Sequence, residues 1–348
     1  LPVVTLIDKK ELTFKTKHAL FLPPLVEAIQ TCLQAKKQVI LFQNRRGYAP
    51  YSMCATCGWI AQCKYCSVAL TYHKHTDKLH CHLCGSKSMY IKVCAACGGH
   101  SIVAKSFGTE KVEEEIRKLF PHARVQRFDW DAMRTKNKYA DVIRLFERKE
   151  IDILVGTQIV VKGFDFEHVQ LVGIVSADGL LSYPDFRVNE RAFQLLEQVA
   201  GRAGRSKEEG KVILQLYQTS HPIIQKLLQH DYVGMFHTEL ESRKEFLYPP
   251  FTRLLKITIR HKMQEKALQA ATLLAESLKD LPKTMLFGPA EPDIHKIKKQ
   301  FIQEIILKMN KDAKLVSSIK QIVKEKILHL KTSRGYSTVF LSVDVDPY

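Results

Sequence analysis

The chain has 348 residues, enough for about two or three domains, and 45% of them are hydrophobic, so it can bury real cores. Its formal charge is +17 with a pI near 9.4, a balance that suits a polyanionic partner: DNA, RNA or an anionic membrane surface. No apolar run approaches the roughly 20 residues of a membrane span, and the opening LPVVTLIDKKEL lacks the basic region and apolar stretch of a secretory signal. That opening also lacks Met, and the chain reads as a piece of a longer polypeptide.

In chain order, residues 22–36 read as a helix and QVILFQ (38–43) as a buried strand. A Cys-rich stretch, 54–100, then interrupts. After it the patterns alternate: helix 110–120, strand 124–128, helix 136–149, strands 152–157 and 170–177, helix 188–200, strand 210–217. Such alternation argues a parallel sheet covered by helices. Strands as apolar as DILVG and LVGIVSA belong where both faces are buried. Residues 220–247 read as one or two helices, with Ser220 as N-cap and Pro222 near the first turn. YPPF (248–251) is a stiff break and marks a domain boundary, because Pro fixes its own φ and restricts the residue before it. The remainder reads strand 252–261, helix 264–280, strands 284–288 and 300–308, helix 312–328, strand 337–344. That β-α-β-β-α-β order is the split, ferredoxin-like one.

The expected organisation is therefore α/β. Residues 1–53 and 101–219 form a sheet domain, 54–100 an insert, 220–250 a helical connector and 251–348 a small α+β domain. The last carries the largest share of the positive charge, with 18 Lys and Arg against 10 Asp and Glu, a net of +8.

Eight of the nine cysteines lie between 54 and 97, all in C-x-x-C pairs: Cys54/Cys57, Cys63/Cys66, Cys81/Cys84 and Cys94/Cys97. In a large chain without an export signal, bound metal explains them better than disulfides. Zinc takes four soft ligands in a tetrahedron, and each knuckle supplies two, so four knuckles make two Cys₄ sites. Three pairings of knuckles exist. The nested one, 63/66/81/84 inside and 54/57/94/97 outside, uses a 14-residue gap close to the usual ribbon spacing. It also brings the ends of the insert together. Eight thiolates and two zinc ions would cancel the insert's local charge of +4, so bulk charge gives it no hold on DNA. Trp59, Tyr65, Tyr72 and Tyr90 read chiefly as packing over a module too small for its own core. His73, His75, His80 and His82 are surplus once eight sulfurs fill two sites, and Cys32 is a core residue of an apolar helix.

DILVGTQIVVKGFDF places Thr157 and Gln158 at a strand end, followed by Gly163 and Asp165 in a loop. The carboxyl ends of parallel strands are where ligands bind. Thr157 and Gln158 offer donors to a nucleic-acid phosphate. QVAGRAGRS follows, with Gln198, Arg202 and Arg205 on one face if the helix continues through them. Two readings fit. The arginines close a helix whose C-terminus favours cations, or they aim at a γ-phosphate across an interface.

Together these segments resemble the second RecA-like lobe of a superfamily 2 helicase. More closely they resemble the bacterial replication-restart helicases of the primosomal protein N′ (PriA) family. The carriers are VILFQNRRGYAPY followed by four knuckles, then FGTEKVEEEI, RFDWDAMR, GTQIVVKGFDF, QVAGRAGR, YPPF, FGPAEP and VDVDP. Two details depart from the pattern: Glu167 where a Pro often stands, and Trp130 in a stretch usually polar. The resemblance implies an ATP-driven 3′-to-5′ DNA helicase of replication restart, working with Mg²⁺ in a bacterial cytoplasm and at the nucleoid. In it Arg205 is the arginine finger with Arg202 beside it. Gln198, Gly163 and Asp165 face ATP, and Thr157 meets the DNA backbone. The implied partners are forked and single-stranded DNA, single-stranded-DNA-binding protein and other primosome proteins.

No G-x-x-x-x-G-K-[ST] and no D-E-x-H box occurs in the 348 residues. The phosphate cradle is then expected in a first lobe ahead of Leu1, and the chain alone is expected to hydrolyse no ATP. The alternative is a non-enzymatic zinc protein that binds nucleic acid and keeps a degenerate motor lobe.

Overall fold

The computed structural model describes the chain apart from residues 1, 10–19, 44–50, 55, 58, 66, 67, 69, 74–76, 82, 83, 101, 106, 107, 130, 131, 134, 135, 158–165, 182–184, 205–209 and 348. Its elements begin with β1 (Val3–Asp8), α1 (Pro23–Gln34) and β2 (Gln38–Gln43). The insert carries β3 (Tyr51–Cys54), β4 (Thr71–His73), β5 (Lys78–His80), β6 (Lys87–Met89) and β7 (Ile102–Lys105). Next come α2 (Thr109–Leu119), β8 (Val125–Phe128), α3 (Lys136–Glu147), β9 (Ile153–Gly156) and β10 (Val169–Ser176). Then follow α4 (Asp178–Leu181), α5 (Val188–Ala200), β11 (Lys211–Leu216), α6 (Pro222–Leu228) and α7 (Tyr232–Glu245). The last stretch holds β12 (Thr252–His261), α8 (Gln264–Leu278), β13 (Thr284–Ala290), β14 (Lys296–Ile297), β15 (Gln300–Asn310), α9 (Ala313–Thr332) and β16 (Phe340–Val345). They form two compact units, one of residues 1–49 with 106–239, the other of 50–105 with 240–348.

The first unit is built on a six-stranded sheet in the order β1-β11-β10-β2-β9-β8, with every pairing parallel. Alternate residues of β2 enter opposite layers, as the two-residue period of a strand requires. Ile40 and Phe42 pack with Val142 and Phe146 of α3 and Phe193 and Leu196 of α5. Val39 and Leu41 pack with Leu25 and Ile29 of α1 and Val112 and Ile116 of α2. Both faces are thus covered, as the apolar strand sequences led one to expect. Strand β1, which the sequence reading missed, lies at the edge beside β11. At Gly173 an added Cβ would come within 2.8 Å of Leu41 and 2.9 Å of Leu25, so the missing side chain makes room for the α1 layer.

Two polar side chains inside this sheet, Gln38 and Gln215, are satisfied, whereas the buried Oε1 of Gln43, at the end of β2, has no hydrogen-bond partner among the described residues. Gln38, 3% exposed, donates through Nε2 to the carbonyls of Phe146 and Ile151, both at 2.7 Å. Gln215, fully buried, accepts from the Leu22 N–H at 2.8 Å and donates to Leu20 O at 3.0 Å and Val175 O at 3.1 Å. It fastens the approach to α1 onto β10 and β11. That helix starts where Pro23 and Pro24 occupy the first turn, positions whose missing N–H costs nothing. Helix α6 differs from expectation: its N-cap is His221, not Ser220, and the His221 Nδ1 accepts from the Ile223 N–H at 3.3 Å.

In the second unit the insert forms a five-stranded antiparallel sheet, β6-β5-β4-β3-β7. Strands β3 and β7 pair with Cys54 opposite Ile102, so the two ends of the insert leave side by side. The C-terminal part is a second antiparallel sheet, β13-β15-β12-β16, with α8 and α9 packed on one face. This is the split β-α-β-β-α-β arrangement expected, with the short β14 added beside β15. Ala267, Ala270, Ala271 and Ala275 make the buried stripe of α8, which lets the helix sit close to the strands. The Asp312 side chain caps α9 by accepting from the Leu315 N–H at 2.8 Å.

Replacing Gln215 by Leu keeps the volume and strands three backbone groups without partners. Urea denaturation of the variant is expected to show a loss of about 3 kcal/mol. A loss under about 0.5 kcal/mol would mean the Gln215 bonds hold nothing in place.

Candidate functional site

Each of the four C-x-x-C turns closes in the same way. The N–H of the first cysteine donates to the carbonyl five residues on: Cys54 to Trp59 at 2.7 Å, Cys63 to Val68 at 2.9 Å, Cys81 to Ser86 at 2.9 Å and Cys94 to Gly99 at 2.8 Å. In the last two, Gly85 and Gly98 adopt φ of 74° and 70° and donate back to Cys81 O and Cys94 O. Glycine takes that backbone without strain. Tyr65 and Ala96 each donate an N–H to the sulfur two residues before them, Cys63 and Cys94, at 3.4 Å.

These turns gather the thiols of Cys54, Cys57, Cys94 and Cys97 into one group and those of Cys63, Cys81 and Cys84 into another, each within 4.8 Å. The grouping is the nested one, and Cys66, whose knuckle would complete the second group, lies outside the described residues. Sulfur–sulfur separations of 3.7 Å (Cys54–Cys97), 3.6 Å (Cys57–Cys94) and 3.6 Å (Cys63–Cys84) fit a tetrahedral ion. Zinc–sulfur bonds of about 2.3 Å place sulfurs about 3.8 Å apart. Donors favour the thiolate at Cys54 and Cys84, whereas Cys57 is pushed up to about 12, the Trp59 N–H being outweighed by the thiols of Cys97, Cys94 and Cys54 around it. The backbone N–H of Cys57 is the main cause that brings the Cys54 thiol down to about 6, and the Ser86 hydroxyl does the same for Cys84. The four thiols of the first group match the ligand number of a closed structural zinc site. Among the described residues no histidine joins either group. His75 and His82 lie outside the described residues, and Cys32 is buried against α1's layer, as expected of a core residue.

The sheet lobe separates the other candidates. Thr157 directly follows β9 and is 7% exposed. Gly156 is level with Phe42, and Phe42 with Ile174, so Thr157 stands at the carboxyl edge of the sheet. Arg202 is elsewhere. Helix α5 ends at Ala200, so Gln198 is an exposed residue of its last turn while Arg202 lies beyond it. The shared helical face expected of Gln198 and Arg202 is therefore absent. Gly201 is the C-cap residue, and Gly204, at φ 70°, turns the chain so that its N–H donates to Val169 O at 3.0 Å. Val169 opens β10, so the arginine turn sits at the amino edge. The strand rise of about 3.3 Å per residue puts roughly 20 Å between the two edges.

Gln158, Gly163, Asp165, Arg205 and Trp130 lie outside the described residues. Their sequence neighbours are informative. Phe166, next to Asp165, accepts from the Val169 N–H at 3.5 Å, and Gly204, next to Arg205, bonds the Val169 carbonyl. Gly210 closes this corner: a Cβ there would lie 2.3 Å from the backbone of both Ala203 and Gly204.

The sequence reading missed a buried cluster at the carboxyl edge. Asp129, 2% exposed at the end of β8, accepts from the Thr109 hydroxyl and from the Ala132 N–H at 2.9 Å. Arg127 stands 3.4 Å from Asp129 and 2.7 Å from Glu110. The cluster pins the first turn of α2 beside Thr157, since Phe128 is level with Gly156. FGTE, ahead of an amphipathic run, signals the helix start, but nothing local in the sequence links Thr109 to Asp129.

Three stretches match known families. Residues 244–348 match the primosomal protein N C-terminal domain, 63–88 the PriA DNA helicase Cys-rich region, and 89–207 the helicase conserved C-terminal domain. The chain is similar to the replication restart protein PriA of Bacillus subtilis, 36% identical over 350 residues, covering 100% of this chain and 43% of that protein. It is similarly related to PriA of Synechocystis, at 36% over 355 residues, and of Borreliella burgdorferi, at 35% over 342 residues. Those alignments cover 100% and 98% of this chain and 41% and 50% of the relatives. The chain thus spans about half or less of the length of these relatives. Among solved structures, the Hef helicase domain of Pyrococcus furiosus aligns with 56% of this chain and 24% of its own at 17% identity, with a TM-score of 0.26, too weak a likeness to carry an argument. Among the described residues no helix is long and apolar enough to cross a membrane.

Metal analysis is expected to find two zinc ions per chain, falling to one in the Cys94→Ser, Cys97→Ser variant. A parent content near zero would remove the metal reading. The Gly210→Ala variant is expected to lose about 1–3 kcal/mol of stability by overpacking, read by thermal denaturation. An unchanged melting temperature would show that the corner has slack.

Proposed function

Since the chain belongs to the PriA family of replication restart proteins, we propose that it supplies the second motor lobe, the zinc module and the C-terminal domain of an ATP-driven DNA helicase. The observation that supports this reading is the placement of described candidate residues at the two opposite edges of one parallel sheet. Thr157 and the pinned start of α2 share the carboxyl edge, while Arg202 and the chain leading to Arg205 leave from the amino edge. A motor needs such a separation. One edge tracks nucleic-acid phosphates while the other senses whether a nucleotide is intact.

In this proposal Arg205, with Arg202 beside it, reaches the γ-phosphate of an ATP·Mg²⁺ held by a first lobe. There the guanidinium groups stabilise the charge that develops on the transferred phosphoryl oxygens, an effect worth roughly 10³–10⁵ in rate in other nucleotide hydrolases. Gln198, Gly163 and Asp165 complete that nucleotide-facing edge. Thr157 and Gln158 hold the DNA backbone, through contacts that position the strand without reading its sequence. The zinc ions are structural and hold the insert's knuckles together. The basic domain 251–348, at +8, binds DNA, with forked DNA as the favoured shape and primosome proteins, including single-stranded-DNA-binding protein, as partners. Such a protein works in the bacterial cytoplasm, at the nucleoid. The absence of a phosphate-binding loop in these 348 residues supports the corollary that the chain alone hydrolyses no ATP.

The test uses the longer protein that contains this chain. Arg205→Ala is expected to lower DNA-stimulated ATP hydrolysis by about 10³-fold while leaving DNA affinity within about twofold. Full activity in the variant would refute the finger. An intact protein with no ATPase at all would leave the non-enzymatic zinc protein as the better account.

A further inference from the structure

The turn between β14 and β15 belongs to the C-terminal domain, yet it touches the inner Cys group. Lys296 pairs with Phe301 and Ile297 with Gln300, which leaves Lys298 and Lys299 as the two turn residues. Both adopt positive φ, 50° and 66°. Two-residue hairpins of this kind favour Asn-Gly because side chains are strained there. Two lysines are a poor choice for such a turn in isolation, and its conformation is held from outside.

The holding group is Tyr65. It stands between Cys63 and Cys66 in the second knuckle. Its N–H donates to the Cys63 sulfur at 3.4 Å, and its carbonyl accepts from the Lys299 N–H at 2.7 Å. The Lys299 ammonium lies 4.7 Å from the centre of the Tyr65 ring. Ile297 packs on the apolar cluster of Ala61, Leu70, Leu79, Cys63 and Cys81. One peptide unit to each side of Tyr65 therefore joins a metal-binding sulfur to the C-terminal domain.

We propose that the inner site, whose described thiols are those of Cys63, Cys81 and Cys84, is a metal-dependent clasp that holds the 296–300 turn of the C-terminal domain against the Cys-rich module. The outer site makes no such contact among the described residues. An ion at the inner site fixes the Cys63 sulfur, the sulfur fixes the Tyr65 amide, and the Tyr65 carbonyl then stands ready for the Lys299 N–H. Loss of that ion frees the knuckle and releases the turn. The clasp rests on the zinc reading of the knuckles and is independent of the ATPase reading.

Hydrogen–deuterium exchange on this chain tests it, with zinc counted in the same samples. Cys81→Ser with Cys84→Ser should leave one zinc and speed exchange over residues 296–303 by about tenfold, the scale of one backbone bond with its packing. Cys94→Ser with Cys97→Ser should also leave one zinc and keep that stretch protected. Equal exchange in parent and inner-site variant would overturn the clasp, as would equal release by both variants. Should the inner-site variant unfold the whole module, Ile297→Asp decides, since it leaves every thiol in place. It should keep two zinc ions while exchange over 61–70 rises several-fold, and no rise would overturn the clasp. Lys298→Asn with Lys299→Gly removes the strain, and the turn should then stay protected in the inner-site background. Continued release there would show that strain is not what the clasp offsets. A parent that holds no zinc overturns the metal reading and the clasp together.

Discussion

The constraint on which the first unit rests is a parallel sheet buried on both faces. Such a sheet has no solvated side, so a polar side chain within it needs partners already in place. Gln38 and Gln215 meet that condition with two and three hydrogen bonds. The candidate residues that the structure describes lie at the two edges, where the strands run out. Thr157 and the Asp129 cluster occupy one edge and the Arg202 turn the other. Helix α5 crosses between them and ends at Ala200, and the arginine segment departs from a corner closed by backbone alone.

The same constraint governs the insert. It departs after β2 and returns before α2, next to a sheet that tolerates no disturbance. Pairing of β3 with β7 brings its ends side by side, so the host strands keep their register. Among the described residues of the module, Ala61, Leu70 and Leu79 are the buried hydrophobes besides cysteine in its core cluster. A core of that size cannot order some fifty residues, and metal coordination is the kind of staple small domains use instead. Repetition of one hydrogen-bonded turn at all four knuckles shows how short the sequence needed for each half-site is.

Much of this architecture was legible in the sequence, because the signals are local. Apolar runs such as QVILFQ announce a strand buried on both faces, PPL announces a helix start, and the C-terminal strand and helix patterns fall in their expected order. The C-x-x-C spacing announced knuckles, and the 14-residue gap favoured the nested grouping seen for the described thiols. Strand β1 was missed because an edge strand is identified by its neighbour, β11, more than 200 residues away. The end of α5 at residue 200 was legible, but the helical face expected to join Gln198 to Arg202 required the helix to run on beyond it. The glycines around it act through a bond to Val169 that the sequence does not display.

The sequence by itself therefore determined most of the elements, the C-x-x-C knuckles and the sign of the charge, since each depends on residues close together along the chain. Tertiary structure alone decided which edge each functional group occupies, that Asp129 anchors Thr109, and that Tyr65 faces Lys299. Those depend on pairings between distant segments, fixed by burial and backbone hydrogen bonding, and no short stretch of sequence encodes both partners.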